Sequence, residues 1–355
     1  MPHRPLLVTS DDALLDELLR LCAAAGAEAQ VAHDVTSARL SWSVPPLVVI
    51  GSDVAASVPR AALPRRPGVV LVGLDLDDAG IWDVAVEIGA DSVVFLPDAQ
   101  AWLVNRFGET ADGGDGAGLA VAVIGGRGGA GATTLAACLA LTGAAEGLRC
   151  LLVDADPLGG GIDLTLGGEE VTGLRWPDLA GAGGRVSGAA LRDGLPRVHG
   201  LSVLSSGRGD ALRVPPQAMR SVLAAATRMS DLVVVDLPRH VDAAAEQALT
   251  AAAITLLVVP AEVRAAAAAG RVAVGVGLTA RDVRVVVRGP APAGLTAPHV
   301  ADALALPLAG WLPAEPGLDA ALEGGEPPGR SRHSPLANLC RELLGDLGAL
   351  RRPTA

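Results

Sequence analysis

The feature that most restricts this chain's fold is a succession of short, unbroken apolar runs, most of them closed by Asp, Pro or Gly. Leu6–Thr9, Leu47–Ile50, Val69–Val72 and Ser92–Leu96 come first. Leu119–Ile124, Cys150–Asp154, Leu201–Leu204, Asp231–Asp236, Ile254–Val259, Val283–Val287 and Leu308–Leu312 follow. They lack the apolar/polar alternation of a strand with one wet face, so parallel strands buried on both faces are expected. Parallel strands need crossovers, and segments with helical spacing lie between the runs: Asp11–Ala25, with Leu14, Leu15, Leu18, Leu19 and Cys22 on one stripe, then Thr133–Ala145 and Pro216–Met229. The expectation is an α/β chain that takes ligands at the carboxyl ends of its strands.

The pattern breaks at Asn105–Gly118 (NRFGETADGGDGAG), a glycine-rich, polar, aperiodic stretch that reads as a linker. It divides a βα-repeating domain, residues 1–104, from a larger doubly wound domain, residues 119–355. With 355 residues, both halves can bury a sizeable core, and the 50% hydrophobic content excludes a disordered class. All 28 basic residues are arginines, and the net charge of −11 argues against a nucleic-acid coat, which depends on clustered positive charge. Cys22, Cys138, Cys150 and Cys340 have no metal-ligand spacing, and the histidines have none either. Asp11 and Asp12 arrive before any signal-peptide core, and no window has the roughly 20 apolar residues of a membrane span. A cytoplasmic location is the expectation.

One run leads into chemistry. Leu119–Ile124 is followed by Gly125-Gly126-Arg127-Gly128-Gly129-Ala130-Gly131-Ala132-Thr133-Thr134 and then a helix. Glycines let backbone N–H groups turn inward around a phosphate, and the helix N-terminus adds the positive end of its dipole. Gly126, Gly131 and Thr133 fit the spacing GxxxxGK[ST], but Ala132 occupies the lysine position. Further on, LLVDADP places Asp154 and Asp156 at a strand's carboxyl end. DLVVVDLP ends a strand in Asp236, suited to a Walker B carboxylate near Mg²⁺. LLVVPAE supplies the next buried strand.

The order GGRGGAGATT, VDADPLGGGIDL, VVVDLP and VVPAEVRAAAAAGR resembles the MinD/ParA deviant Walker family, over about Leu119 to Leu350. GLRWPDLAGAGGRVSGAALRDGLPRVHGLSVLSSG, behind its own N-terminal domain, resembles the actinobacterial CpaE-like (TadZ-like) branch, linked to septum-site placement and to pilus or secretion machinery. The resemblance implies ATP or ADP with Mg²⁺ cradled by Gly126, Arg127, Gly128, Gly129, Ala130, Gly131, Ala132, Thr133 and Thr134. It implies Thr133 and Asp236 at the metal and Asp156 orienting the attacking water. It also implies a homodimer through the nucleotide face, with recruitment to a septum, a pole or the inner membrane surface. The family's signature lysine falls on Arg127, which either reaches a partner's phosphates or simply faces solvent. The family's adenine-contacting Asn falls near Val287, before Arg288, and is missing. A general shift from Lys to Arg accounts for Arg127 but not for Ala132, where the charge is lost. Nucleotide binding with slow hydrolysis is therefore expected. A nucleotide-independent dimeric scaffold and a ParA-like DNA-partitioning ATPase are the alternatives.

The first domain resembles a degenerate response-regulator receiver. Asp11 and Asp12 follow its first strand, but Gly51 stands at the phosphoacceptor position, Asp53 two residues later, Gly73-Leu74 where Ser or Thr is expected, and Leu96 in place of lysine before Pro97. A docking or localisation domain is expected, with Asp53 as a rescued acceptor the alternative. The last helix, Pro335–Leu350, carries an apolar stripe followed by Arg351-Arg352. It either closes the sheet or lies on a bilayer. Trp311 is expected to be buried beside the nucleotide pocket.

Overall fold

The computed structural model describes every residue except 1–3, 62, 79, 112–117, 182–185, 208–212, 293, 332 and 350–355. The chain divides into two compact units, Met1–Asp115 and Gly116–Ala355.

In the first unit, β1 (Leu6–Val8), β2 (Gln30–Ala32), β3 (Val48–Gly51), β4 (Val69–Gly73) and β5 (Ser92–Phe95) form a parallel sheet in the order β2-β1-β3-β4-β5. This is the flavodoxin-like winding expected of a receiver-like domain. Strand β2 escapes the sequence pattern because it is a three-residue edge strand and its Val31 is 41% exposed. The helix Asp12–Ala24 opens on Asp11, whose carboxylate accepts from the N–H groups of Ala13 and Leu14. One of the two acids thus serves as a helix cap.

The helix Gln100–Ala111 continues into the stretch expected to be a linker from Asn105. Leu103 and Phe107 lie one helical turn apart and are both fully buried, so packing carries the helix through polar sequence until the glycines begin. The space around Gly51, which the receiver resemblance sets at the acceptor position, is filled by neighbouring side chains. A Cβ on Gly51 would run into Asp53, and would meet Thr9 Oγ1 at 2.8 Å and Leu14 at 2.9 Å. Asp53 is held in place by Thr9 Oγ1 at 2.9 Å and by the Ser10 N–H and hydroxyl, each at 2.8 Å. Burial pushes its pKa up, but the Ser10 and Thr9 hydrogen bonds outweigh that and lower it.

The second unit contains β6 (Leu119–Gly125), β7 (Cys150–Asp154), β8 (Arg197–Val198), β9 (Leu201–Leu204), β10 (Leu232–Leu237), β11 (Ile254–Pro260), β12 (Val283–Arg288) and β13 (Leu308–Leu312). Their order is β13-β12-β11-β6-β10-β7-β9-β8, parallel throughout except for β8 at the edge. The two-residue β8 is paired through a tight turn in which His199 (φ 51°) and Gly200 (φ 81°) are both left-handed, the backbone a two-residue hairpin requires. Helices Ala132–Ala145 and Pro335–Asp346 cover one face of the sheet. Helices Pro216–Met229, Ala243–Ala251, Val263–Gly277 and Ala297–Leu304 cover the other.

Of the two readings of the last helix the structure takes the first, and the expectation for Trp311 changes. The last helix buries Leu336, Leu339, Cys340, Leu343 and Leu344 against Ala132–Ala145 and β13, so its stripe closes the sheet and is not offered to a membrane. It ends at Asp346, and Arg351-Arg352 lie outside the described residues. Trp311 is 38% exposed because β13 is the sheet's edge strand. All four cysteines are buried and free. Among the described residues, no helix is long and apolar enough to cross a membrane.

Candidate functional site

The sheet order sets β6 between β11 and β10, with β7 beyond β10. All four are parallel, so their carboxyl ends share one edge, and the register places Asp236 directly opposite Asp154. The glycine loop leaves β6 at that edge. Its start is tied to β11 by the Gly126 N–H, which donates to Val258 O at 2.8 Å. A Cβ on Gly126 would meet the Ala269 Cβ at 2.6 Å, so only glycine lets the loop pack on the helix Val263–Gly277.

At the loop's far end Gly131 adopts φ 94°, a conformation open to glycine at little cost. It is the N-cap of the helix Ala132–Ala145 and offers no side-chain acceptor. The first-turn N–H groups of that helix therefore face the loop without a side-chain partner, the usual setting for an anion. A Cβ on Gly128 or Gly129 would have open space around it, whereas Ala130 is buried. Thr133 and Thr134 lie in the helix's first turn behind Ala132.

The carboxylates gather opposite this loop. Asp236, 3% exposed, has the Thr133 side chain near enough to favour its charged form. Burial drives the Asp236 pKa up, the nearby Thr133 side chain lowers it, Asp154 and Asp156 raise it again, and it settles at about 7. Asp154, 2% exposed, is raised mainly by burial to about 6, although its oxygens accept the Asp156 N–H at 3.1 Å and the Ile162 N–H at 3.0 Å. Asp156 is only partly buried and accepts the Leu158 N–H at 3.0 Å. Among the described residues, no three His, Cys, Asp or Glu side chains form a self-sufficient metal site. The donor set suits a hard cation that draws further oxygens from a bound phosphate.

The raised Asp236 pKa gives a testable pH dependence. Below its ordinary value of 3.8 the group is protonated whether the chain is folded or not. Between pH 3.8 and about 7 only the unfolded chain ionises, so folding loses stability as the pH rises through that window. Asp236→Asn removes the effect. The variant's melting temperature minus the parent's, without nucleotide or divalent cation, is expected to grow from pH 4 to pH 7 and then level off. A difference that does not change with pH contradicts the assignment.

Arg127 does not turn into the loop. Its Nη2 pairs with Glu262 Oε1 at 2.8 Å at the start of the helix Val263–Gly277, both side chains being partly exposed. The structure therefore brings together the glycine loop, Thr133, Asp236, Asp154 and Asp156, and directs the Arg127 charge to Glu262.

The apolar runs alone do not reveal Trp176 or Arg288. Trp176, 1% exposed, donates from Nε1 to the Asp154 carbonyl at 2.6 Å and so fixes the carboxyl end of β7. Its one sequence signal is the WPDL helix start, with Pro177 in the first turn. Arg288 ends β12, two strands away from β6, and its side chain reaches back to Gly131.

A family model described as the Rv3660c-like, CheY-like N-terminal domain matches residues 8–118. Two Mycobacterium tuberculosis proteins, uncharacterized protein Rv3660c of strain H37Rv and uncharacterized protein MT3760 of strain CDC 1551, are each 43% identical over 346 residues. Those alignments cover 95% of this chain and 96% of each relative. A ParA family ATPase from Chlorobium tepidum superposes with a TM-score of 0.59 at 16% identity, over 64% of this chain and 98% of its own. The septum site-determining protein MinD of Pyrococcus horikoshii, complexed with Mg-ADP, gives 0.56 at 19%, over 66% and 97%. The Aquifex aeolicus MinC:MinD cell division complex gives 0.57 at 23%, over 67% and 98%. At these identities the likeness shows the fold, a MinD/ParA-type architecture over about two thirds of the chain.

Proposed function

The chain belongs to the Rv3660c-like family, and from that premise we propose that it is a MinD/ParA-like regulatory protein that binds ATP or ADP with Mg²⁺ and hydrolyses ATP slowly. The observation that carries this reading is the uncapped helix N-terminus behind Gly131, with the buried Asp236 beside Thr133 at the same sheet edge. Loop amides from Gly126 to Thr134 would hold the phosphates, and Thr133 and Asp236 the metal. The metal would supply positive charge to the phosphate oxygens. Asp156, the more accessible of the paired acids, would orient a water. Ala132 leaves the loop without its customary ammonium donor, and such a loss costs about 10²–10³ in rate, so turnover is slow.

Within this reading the protein acts as a dimer through the nucleotide face. It serves septum placement or the positioning of a pilus or secretion machine, in the manner of CpaE-like proteins of actinobacterial type. It is cytoplasmic and recruited to its site by partners, and the first unit is a docking domain that works without phosphorylation. The likeness to MinD, the filled Gly51 position and the buried stripe of the last helix support these points. Arg127 would have to leave Glu262 to reach a partner's phosphates. A second reading, a nucleotide-independent scaffold, draws support from Ala132 and from that same ion pair. The charge of −11 disfavours DNA partitioning.

Calorimetric titration of the full chain with MgATP tests the proposal. The parent is expected to give saturable heat, and Asp236→Ala to weaken binding about tenfold or more. No heat from the parent, with binding restored in Ala132→Lys, favours the scaffold. Salt-sensitive retention on DNA revives partitioning.

A further inference from the structure

We propose that Arg288 supplies the phosphate-binding charge missing at Ala132, from a different strand of the sheet; this rests on the nucleotide reading above. A Cβ on Gly131 would meet Arg288 Nη1 at 3.0 Å and its Cδ at 3.5 Å. The guanidinium therefore lies against the residue just before Ala132, at the mouth of the uncapped helix. Arg288 Nε is buried with no hydrogen-bond partner among the described residues.

The neighbouring acids do not hold this charge. Arg127 has already taken Glu262. Glu315 and Asp319 line a cavity of about 160 Å³ with Arg288, but neither pairs with it. Glu315 instead accepts the Ser334 hydroxyl at 2.7 Å. Among the described residues Arg288 is thus a cation without a counter-ion, beside a loop built to receive an anion and lacking its own. A planar guanidinium binds phosphate oxygens through two parallel N–H donors, so from β12 it can hold the bound phosphates without replacing the lysine's donor to the transferring phosphoryl group. Its approach from β12 also explains how the lysine position can hold alanine without leaving the loop uncharged.

The same cavity opens another role, stacking on a nucleobase, and the choice of probes separates the two. MgATP, magnesium tripolyphosphate and adenosine would be titrated into the full-length parent, Arg288→Ala, Arg288→Gln and Arg288→Ala combined with Ala132→Lys. Loss of a charge-assisted contact is expected to weaken MgATP and tripolyphosphate about 10- to 100-fold in both single variants and to leave adenosine unchanged. Glutamine retains most of the side chain's bulk, so agreement between the two single variants assigns the loss to charge. Restored tripolyphosphate binding in the double variant completes the expected pattern. Equal weakening of adenosine, or no weakening of tripolyphosphate, overturns the inference while nucleotide binding stands. A parent that takes up none of the three probes overturns both.

Discussion

Ala132→Lys is expected to raise ATP turnover about 10²–10³-fold, measured as phosphate release at saturating MgATP. Ala132 is the first residue of its helix, immediately after the left-handed Gly131, with Thr133 next in the chain and the buried Asp236 close to it. A lysine added there would bring an ammonium group to a loop whose other parts are in place. Charge that builds up on the transferring phosphoryl group is what such a donor stabilises, so the gain should appear in kcat. If the lysine tightens MgATP binding but leaves kcat unchanged, it stabilises bound substrate and transition state equally, and the low parental rate has another cause. An unchanged kcat and an unchanged affinity together would mean that the phosphate chain does not enter this loop.

Trp176→Ala is expected to destabilise the larger unit by about 3–5 kcal/mol, seen as a lower denaturant midpoint for its unfolding. Trp176 is among the largest fully buried side chains, so truncation leaves a cavity. It also leaves the Asp154 carbonyl without its 2.6 Å donor. Domains are usually stable by only about 5–15 kcal/mol, so this one change removes a large share. Trp176→Phe separates the two contributions: it keeps most of the ring packing and removes the N–H, for an expected cost of about 1–3 kcal/mol. A loss below about 1 kcal/mol in the alanine variant would show that the site closes around the gap and that the ring does not brace β7.

Both sheets were legible in the sequence because their central strands are buried on both faces and read as unbroken apolar runs. Asp154, Asp156 and Asp236 were legible for a related reason: a polar residue ending such a run lies at the sheet's carboxyl edge. The pattern failed wherever one face is wet or a neighbour decides. Strand β2 is short and half exposed, and β8 depends on a His-Gly hairpin that carries little apolar signal. The helix ending at Ala111 persists through polar sequence because Leu103 and Phe107 find a core. Arg127 and Arg288 were both visible as arginines, but which of them meets an acid and which meets the loop depends on side-chain reach across the strand order. No local spacing encodes that.

The filled space around Gly51 bears on how this lineage can change. A side chain added at Gly51 would meet Asp53, Thr9 and Leu14, so an aspartate there must displace three side-chain ends at once. Asp53 would have to give up its bonds to Thr9 and Ser10 to make that room. An acid at this position therefore has to be introduced together with changes at the side chains that surround it.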